Sequence, residues 1–351
     1  MTLFPKTFGP RPRDDCAALT TARLDGGVLP NPPGFTEPSP PGRIMHVGGL
    51  DVFVRHSPGP ADVTPTWFIH GLEGSSRNWD RLAAVLAGHS AGYAPDLPGS
   101  GRSAPPTRGT YSIPTEVRLV AWLIEHQSSR PVHLVGNSRG GIVATLLAAA
   151  FPEMIRTLTL ISPAVPDFRI FGERGADPRL AFVMVPGVRD SVSKRLDAIT
   201  PADRAHGLAY NCFGEPEALT ATDLAAVANE YVVRREMPWA AESTVQSLRS
   251  LIRAQARFGP WSFNAAAHAV AVPTLIVWGT RDRMVDCRLA ERTAGAFSDS
   301  RLLMLARTGH VAQIERPVEV ARAMVALWND ETAHAARTGA PCSSRAKIVG
   351  T

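Results

Sequence analysis

The sequence predicts an α/β fold, a mostly parallel sheet covered by helices, and three observations lead there. Short β-rich runs alternate with longer helical patterns along most of the chain, the signature of strands joined by helical crossovers. A G-x-S-x-G turn falls where one such run ends and a helical pattern begins. Aspartate and histidine candidates follow later runs, so that the chain order reads Ser, Asp, His.

The strand runs are 43–46 and 50–56, a hairpin around Gly48-Gly49, then 66–69, 92–96, 132–136, 157–161, 274–278 and 301–305. Helical patterns cover 78–87, 113–126, 140–150, 289–296 and 317–328. Between Pro163 and Val270 the strand signal lapses. There Leu224, Val227 and Tyr231, then Val245, Leu248, Ile252 and Ala256, recur at helical spacing, which predicts a mostly helical insertion.

Both ends read differently. Residues 1–42 hold nine of the thirty prolines and little apolar period, predicting a flexible or wrapping extension. Residues 331–351 mix small and polar side chains without a period and predict a frayed tail. The expected division is therefore a Pro-rich extension at 1–42, a core at 43–163 and 271–330, a helical insertion at 164–270 and a tail at 331–351.

Composition narrows the function classes. The 351 residues, 44% hydrophobic, can fill a large core. The net charge of +5 arises from 37 basic and 32 acidic residues without blocks of like charge, which argues against a nucleic-acid or membrane-surface arm. No run approaches about 18 consecutive apolar residues, and 1–15 lacks the apolar core of a secretion signal, so a soluble, cytoplasmic protein without a membrane span is expected. Cys16, Cys212, Cys287 and Cys342 form no CxxC spacing, which predicts neither a zinc site nor a disulfide framework.

Two segments match G-x-S-x-G: Gly88-His89-Ser90-Ala91-Gly92 and Gly136-Asn137-Ser138-Arg139-Gly140. The motif works only at a sharp strand-to-helix turn, where a strained backbone exposes the hydroxyl. Ser138 follows Val132, Leu134 and Val135 and precedes a helical run. Ser90 lies between a helix and a strand, at the end of the sheet where ligands rarely bind, and is a chance match. Ser138 is the candidate nucleophile.

A serine hydroxyl needs a histidine to take its proton and a carboxylate to hold that histidine's tautomer. His310, just beyond the last strand run, is the expected base. Asp282, just past the run 274–278, is the expected acid, with Asp286 as the fallback. The oxyanion hole needs backbone N–H groups aimed at the developing charge, and those of Leu72, in His70-Gly71-Leu72-Glu73-Gly74, and Arg139 are assigned to it. No metal or organic cofactor is required; the partner is a small-molecule substrate, and oligomeric state is open.

Taken together these segments resemble the α/β-hydrolase superfamily over about residues 43–328. Asp96-Leu97-Pro98-Gly99-Ser100-Gly101-Arg102-Ser103 is also similar to that family's loop after its fourth strand. The resemblance implies an eight-stranded sheet, with 164–270 acting as a helical cap that shapes the substrate pocket. It implies an ester-cleaving serine hydrolase working through an acyl-enzyme. A carbon-carbon bond hydrolase, which Gly136-Asn137-Ser138 resembles, an acyltransferase and a non-catalytic binding protein are the alternatives. Ser138 argues against relatives with an aspartate nucleophile, and Val311 stands where many carbon-carbon hydrolases carry tryptophan. Two roles are open for the Arg139 side chain: recognition of a substrate carboxylate or phosphate, or a structural pair with Glu73.

Overall fold

The computed structural model describes residues 13–106, 111–167, 184, 188–257, 259 and 262–338. Calls that fall on 1–12 and 339–351 lie outside the described residues, as does part of the insertion.

Eight strands form one sheet: β1 Gly42–Val47, β2 Leu50–Ser57, β3 Thr66–Ile69, β4 Gly92–Pro95, β5 Val132–Asn137, β6 Ile155–Ile161, β7 Thr274–Gly279 and β8 Ser300–Leu305. Their spatial order is β1-β2-β4-β3-β5-β6-β7-β8. β1 and β2 are an antiparallel hairpin whose turn residues Gly48 and Gly49 have φ of 55° and 81°, the left-handed backbone that a two-residue hairpin loop demands. β2 pairs antiparallel with β4, and from β4 onward the sheet is parallel.

β5 and β7 are buried along their whole length, so they read as unbroken apolar runs rather than alternating ones. Alternation still sorts their side chains between the two faces. Leu134, Ile276 and Trp278 pack with α2 Ile113–Gln127, α3 Arg139–Ala150 and α8 Phe263–Ala269. Val135 and Val277 pack with α1 Asp80–Val85, α10 Ala312–Glu315 and α11 Pro317–Thr338.

Between β6 and β7 come α4 Val188–Ala198, α5 Pro201–Cys212, α6 Ala221–Arg235 and α7 Ala240–Gln255, followed by α8. The expected helical character of this stretch is therefore seen in its described part. Leu196, Val245 and Leu248 form a small separate core here, and Leu72 from the loop after β3 packs against it.

Three local expectations differ. The helix expected at 78–87 begins earlier, at Ser76, because Ser75 and Asn78 form a capping box; it opens as a 3-10 turn, Ser76–Trp79, and ends as α1 at Val85. The helix expected at 289–296 stops at Ala294, as α9 Ala290–Ala294. The last helix, expected to end at Trp328, runs on as α11 to Thr338, so the expected tail begins as helix.

The extension wraps. Its 3-10 helix Asp14–Leu19 leads to Thr20, Thr21 and Ala22, which run beside β8. The Thr21 and Ala22 amides donate to the Leu302 carbonyl at 2.8 and 2.9 Å, while the Leu302 and Met304 amides donate to the Thr21 and Thr20 hydroxyls at 2.9 and 3.0 Å. Among the described residues no helix is long and apolar enough to cross a membrane.

Candidate active site

The strand order reverses at β3, which lies between β4 and β5, so the loops leaving the carboxyl ends of β3 and β5 open a crevice. Ser138 sits in that crevice between β5 and α3, with φ 54° and ψ −120°. This strained backbone costs about 1–3 kcal/mol and persists only because its surroundings fix it. The fixing is steric: a Cβ on Gly136 would lie 2.4 Å from the Gly140 carbonyl oxygen, and one on Gly140 would lie 2.1 Å from that of Ile69. The Ser138 amide donates to the Ile161 carbonyl at 3.0 Å, and its own carbonyl accepts from the Gly141 and Ala164 amides.

Asp282 and His310, on the loops after β7 and β8, meet. His310 Nδ1 lies 2.9 Å from Asp282 Oδ2, and both side chains are buried. Asp282 Oδ1 accepts from the amides of Met284 and Val285 at 2.8 and 2.9 Å, which leaves Oδ2 aimed at the imidazole. Asp286 is not the partner: it binds the Arg288 guanidinium and amide on its own loop. The two loops are also joined directly, since the Arg281 amide donates to the Thr308 carbonyl at 2.8 Å.

Ser138 and His310 line one cavity of about 130 Å³, shared with Gly71, Leu72, Asn137 and Leu208. Among the described residues the Leu72 amide has no backbone acceptor, and that of Arg139 begins α3, where helix amides lack one. A second, larger cavity of about 640 Å³ adjoins this one across Glu73, Gly74, Asn78 and Tyr231 and is walled on one side by residues 33–42 of the extension.

The recognition role weighed for the Arg139 side chain is overturned. Arg139 is buried and points at Glu116 of α2, with Nη2 2.5 Å from Oε1. Burial pushes the Glu116 carboxyl up even though the Arg139 cation pulls it down. The pairing with Glu73 fails too, because Glu73 lies beside Arg204, 3.7 Å away. Ser90, the chance match, is buried and bonds to Thr66 and to the Thr64 carbonyl at 2.8 Å.

Three supporting residues escaped the sequence reading. Asn137 Nδ2 donates to the carbonyls of Ile161 and His310, tying the turn that carries Ser138 to the histidine loop. Its position inside G-x-S-x-G was a usable signal. His70 is wholly buried, accepting from the Leu97 amide at Nε2 and lying 2.7 Å from the Gly71 carbonyl at Nδ1. Desolvation lowers its pKa to about 3, which keeps it neutral and fixes the loop carrying Leu72. Glu315 accepts from the amides of Gly214 and Gly309, clamping the end of α5 onto the histidine loop; burial pushes its carboxyl up to about 7. The His310 amide donates to the Cys212 carbonyl at 2.7 Å in the same junction. Among the described residues no group of three or more His, Cys, Asp or Glu is placed to hold a metal ion.

The sequence profile of the Alpha/beta hydrolase family matches residues 68–323. Lipase LipV of Mycobacterium tuberculosis is 38% identical over 155 residues, a match covering 44% of this chain and 56% of LipV. Monoacylglycerol lipase ABHD6 of Mus musculus is 22% identical over 73% of each chain. Among solved structures, a membrane phospholipase A described as a bacterial virulence factor is 25% identical. It superposes with a TM-score of 0.67 over 83% of this chain and 86% of its own.

Proposed function

Because the chain belongs to the alpha/beta hydrolase family, we propose that it is a serine hydrolase that cleaves an ester-like bond of a small molecule through an acyl-enzyme. The observation that carries this reading is the 2.9 Å contact of Asp282 with His310, on the wall of the cavity that Ser138 also lines.

In this reading Ser138 Oγ attacks the substrate carbonyl while His310 Nε2 takes its proton. Asp282 holds Nδ1–H and stabilises the imidazolium that forms. The oxygen of the tetrahedral intermediate gains charge beside the Leu72 and Arg139 amides, worth about 3–4 kcal/mol per donor in comparable sites. His310 then protonates the leaving alcohol, and water, activated by the same histidine, releases the acid and restores Ser138. No cofactor takes part.

The insertion is the cap that selects the substrate. Leu196, Ile199, Leu208 and Met284 give the cavity an apolar wall, which favours an aliphatic acyl group. The similar proteins described above, a lipase, a monoacylglycerol lipase and a phospholipase, support a lipid-like ester. The reading includes a cytoplasmic location.

A series of p-nitrophenyl esters of graded acyl length, with products identified, tests it together with a fluorophosphonate probe. The parent and Ser90→Ala are expected to label and turn over, whereas Ser138→Ala does neither. Undiminished hydrolysis by Ser138→Ala would overturn the assignment.

A further inference from the structure

We propose that Cys16 and Cys287 are an oxidisable pair that closes into a disulfide, stapling the N-terminal extension to the loop that carries Asp282. The two sulfurs lie 3.8 Å apart although 271 positions separate them in the chain, and both residues are buried. Cysteine spacing predicted no disulfide, because nothing in the spacing says that the extension folds back onto this corner of the sheet.

Cys16 is held against Cys287 by its neighbours. The Arg13 amide donates to the Thr280 carbonyl at 3.1 Å, and Asp14 accepts from the Thr280 hydroxyl at 2.6 Å and pairs with Arg281 at 3.0 Å. Farther along, Thr20 and Thr21 are bonded to β8. Cys287 is anchored from its own side, since Asp286 is fixed by Arg288. The sulfurs need to approach from 3.8 Å to the bonded distance of about 2.05 Å, within the reach of side-chain rotation and a small backbone shift.

A diffusible peroxide supplies the oxidant. One sulfur attacks a peroxide oxygen, the O–O bond breaks, and a sulfenic acid and hydroxide result. The second sulfur attacks the sulfenic sulfur, the S–O bond breaks, and the S–S bond forms with loss of water. The two thiols give up two protons and two electrons, and the peroxide becomes two waters. Burial raises the pKa of the Cys287 thiol, which keeps it protonated and slows its attack on peroxide. Because closure removes two electrons, it waits for an oxidant and does not proceed in a reducing medium. The staple would fix the 287 end of the segment 280–287, which contains Asp282, while Arg13 and Asp14 hold the 280 end.

The test uses the full chain, reduced, freed of reductant and then treated with hydrogen peroxide. Thiol titration in denaturant is expected to fall from four to two, and non-reducing peptide mapping to link Cys16 with Cys287. The unfolding midpoint should rise by at least about 3 °C and return with dithiothreitol. Cys16→Ser and Cys16→Ala should each keep all three remaining thiols and show no rise; the alanine variant covers the case in which a buried hydroxyl impairs folding. Four surviving thiols, a link through Cys212 or Cys342, or sulfinic acid at Cys287 without a link would each overturn the proposal.

Discussion

Asp282→Asn isolates the step on which the proposed chemistry turns. In the parent, Oδ1 takes two backbone N–H groups, from Met284 and Val285, and Oδ2 faces His310 Nδ1. An asparagine amide has one oxygen and one NH2, so it can accept on one side only. Turning the NH2 toward the two amides would leave both unsatisfied in a buried site, a cost of about 1–3 kcal/mol each. The oxygen therefore stays on the amides and the NH2 donates to Nδ1. That donation puts the imidazole proton on Nε2, where the base should face Ser138, and the free-energy cost to the chemical step is about 5 kcal/mol, or about 10⁴ in kcat. Ester hydrolysis under saturation measures it, with thermal unfolding as a check on folding and Asp286→Asn as the control, expected to retain activity within about threefold. An Asp282→Asn enzyme within tenfold of the parent would refute the tautomer argument.

Arg139→Met should destabilise by about 3–5 kcal/mol in urea unfolding, because Glu116 is left buried and alone, and Arg139→Met/Glu116→Leu should regain most of that. Losses of activity on acidic and neutral esters should be equal. His70 and His133 are both held near a pKa of about 3, below the unfolded value of 6.5, so the unfolded chain takes up their protons first. Stability is then complete above about pH 6.5 and falls toward pH 3; between pH 7 and 5 each histidine surrenders about 2 kcal/mol, and His133→Gln should flatten the urea-measured slope by its share. Gly309→Ala places a Cβ 2.3 Å from the Cys212 carbonyl oxygen. It should push the histidine loop out of register and cut kcat about 10²-fold, while Gly295→Ala, with 3.5 Å of clearance, is silent.

The parts that could be read beforehand were those written in local pattern. β5 and β7 are short apolar runs, and each appeared within a residue of its true bounds. The placement of Ser138, Asp282 and His310 just past β5, β7 and β8 was legible because each follows an apolar run that ends a strand. The roles proposed for them rest on that placement and on the chain order. Relations between distant side chains left no such trace. Glu116 stands 23 positions before Arg139 on another helix, so nothing near Arg139 advertised that its guanidinium turns inward. Glu315 matters only because Gly214 and Gly309 approach closely enough for one carboxylate to reach both amides. The extension read as flexible or wrapping, with the choice left open, because prolines do not reveal that threonine hydroxyls can stand in for ladder partners.

Those hydroxyls have a consequence for how molecules of this protein meet. An outermost strand ordinarily offers its free amides and carbonyls to any other extended chain, the usual route to sheet-to-sheet fusion and aggregation. Here Leu302 and Met304 are already engaged by residues from the same polypeptide. That margin is closed to a newcomer, and any self-association must use another surface or first peel the threonines away.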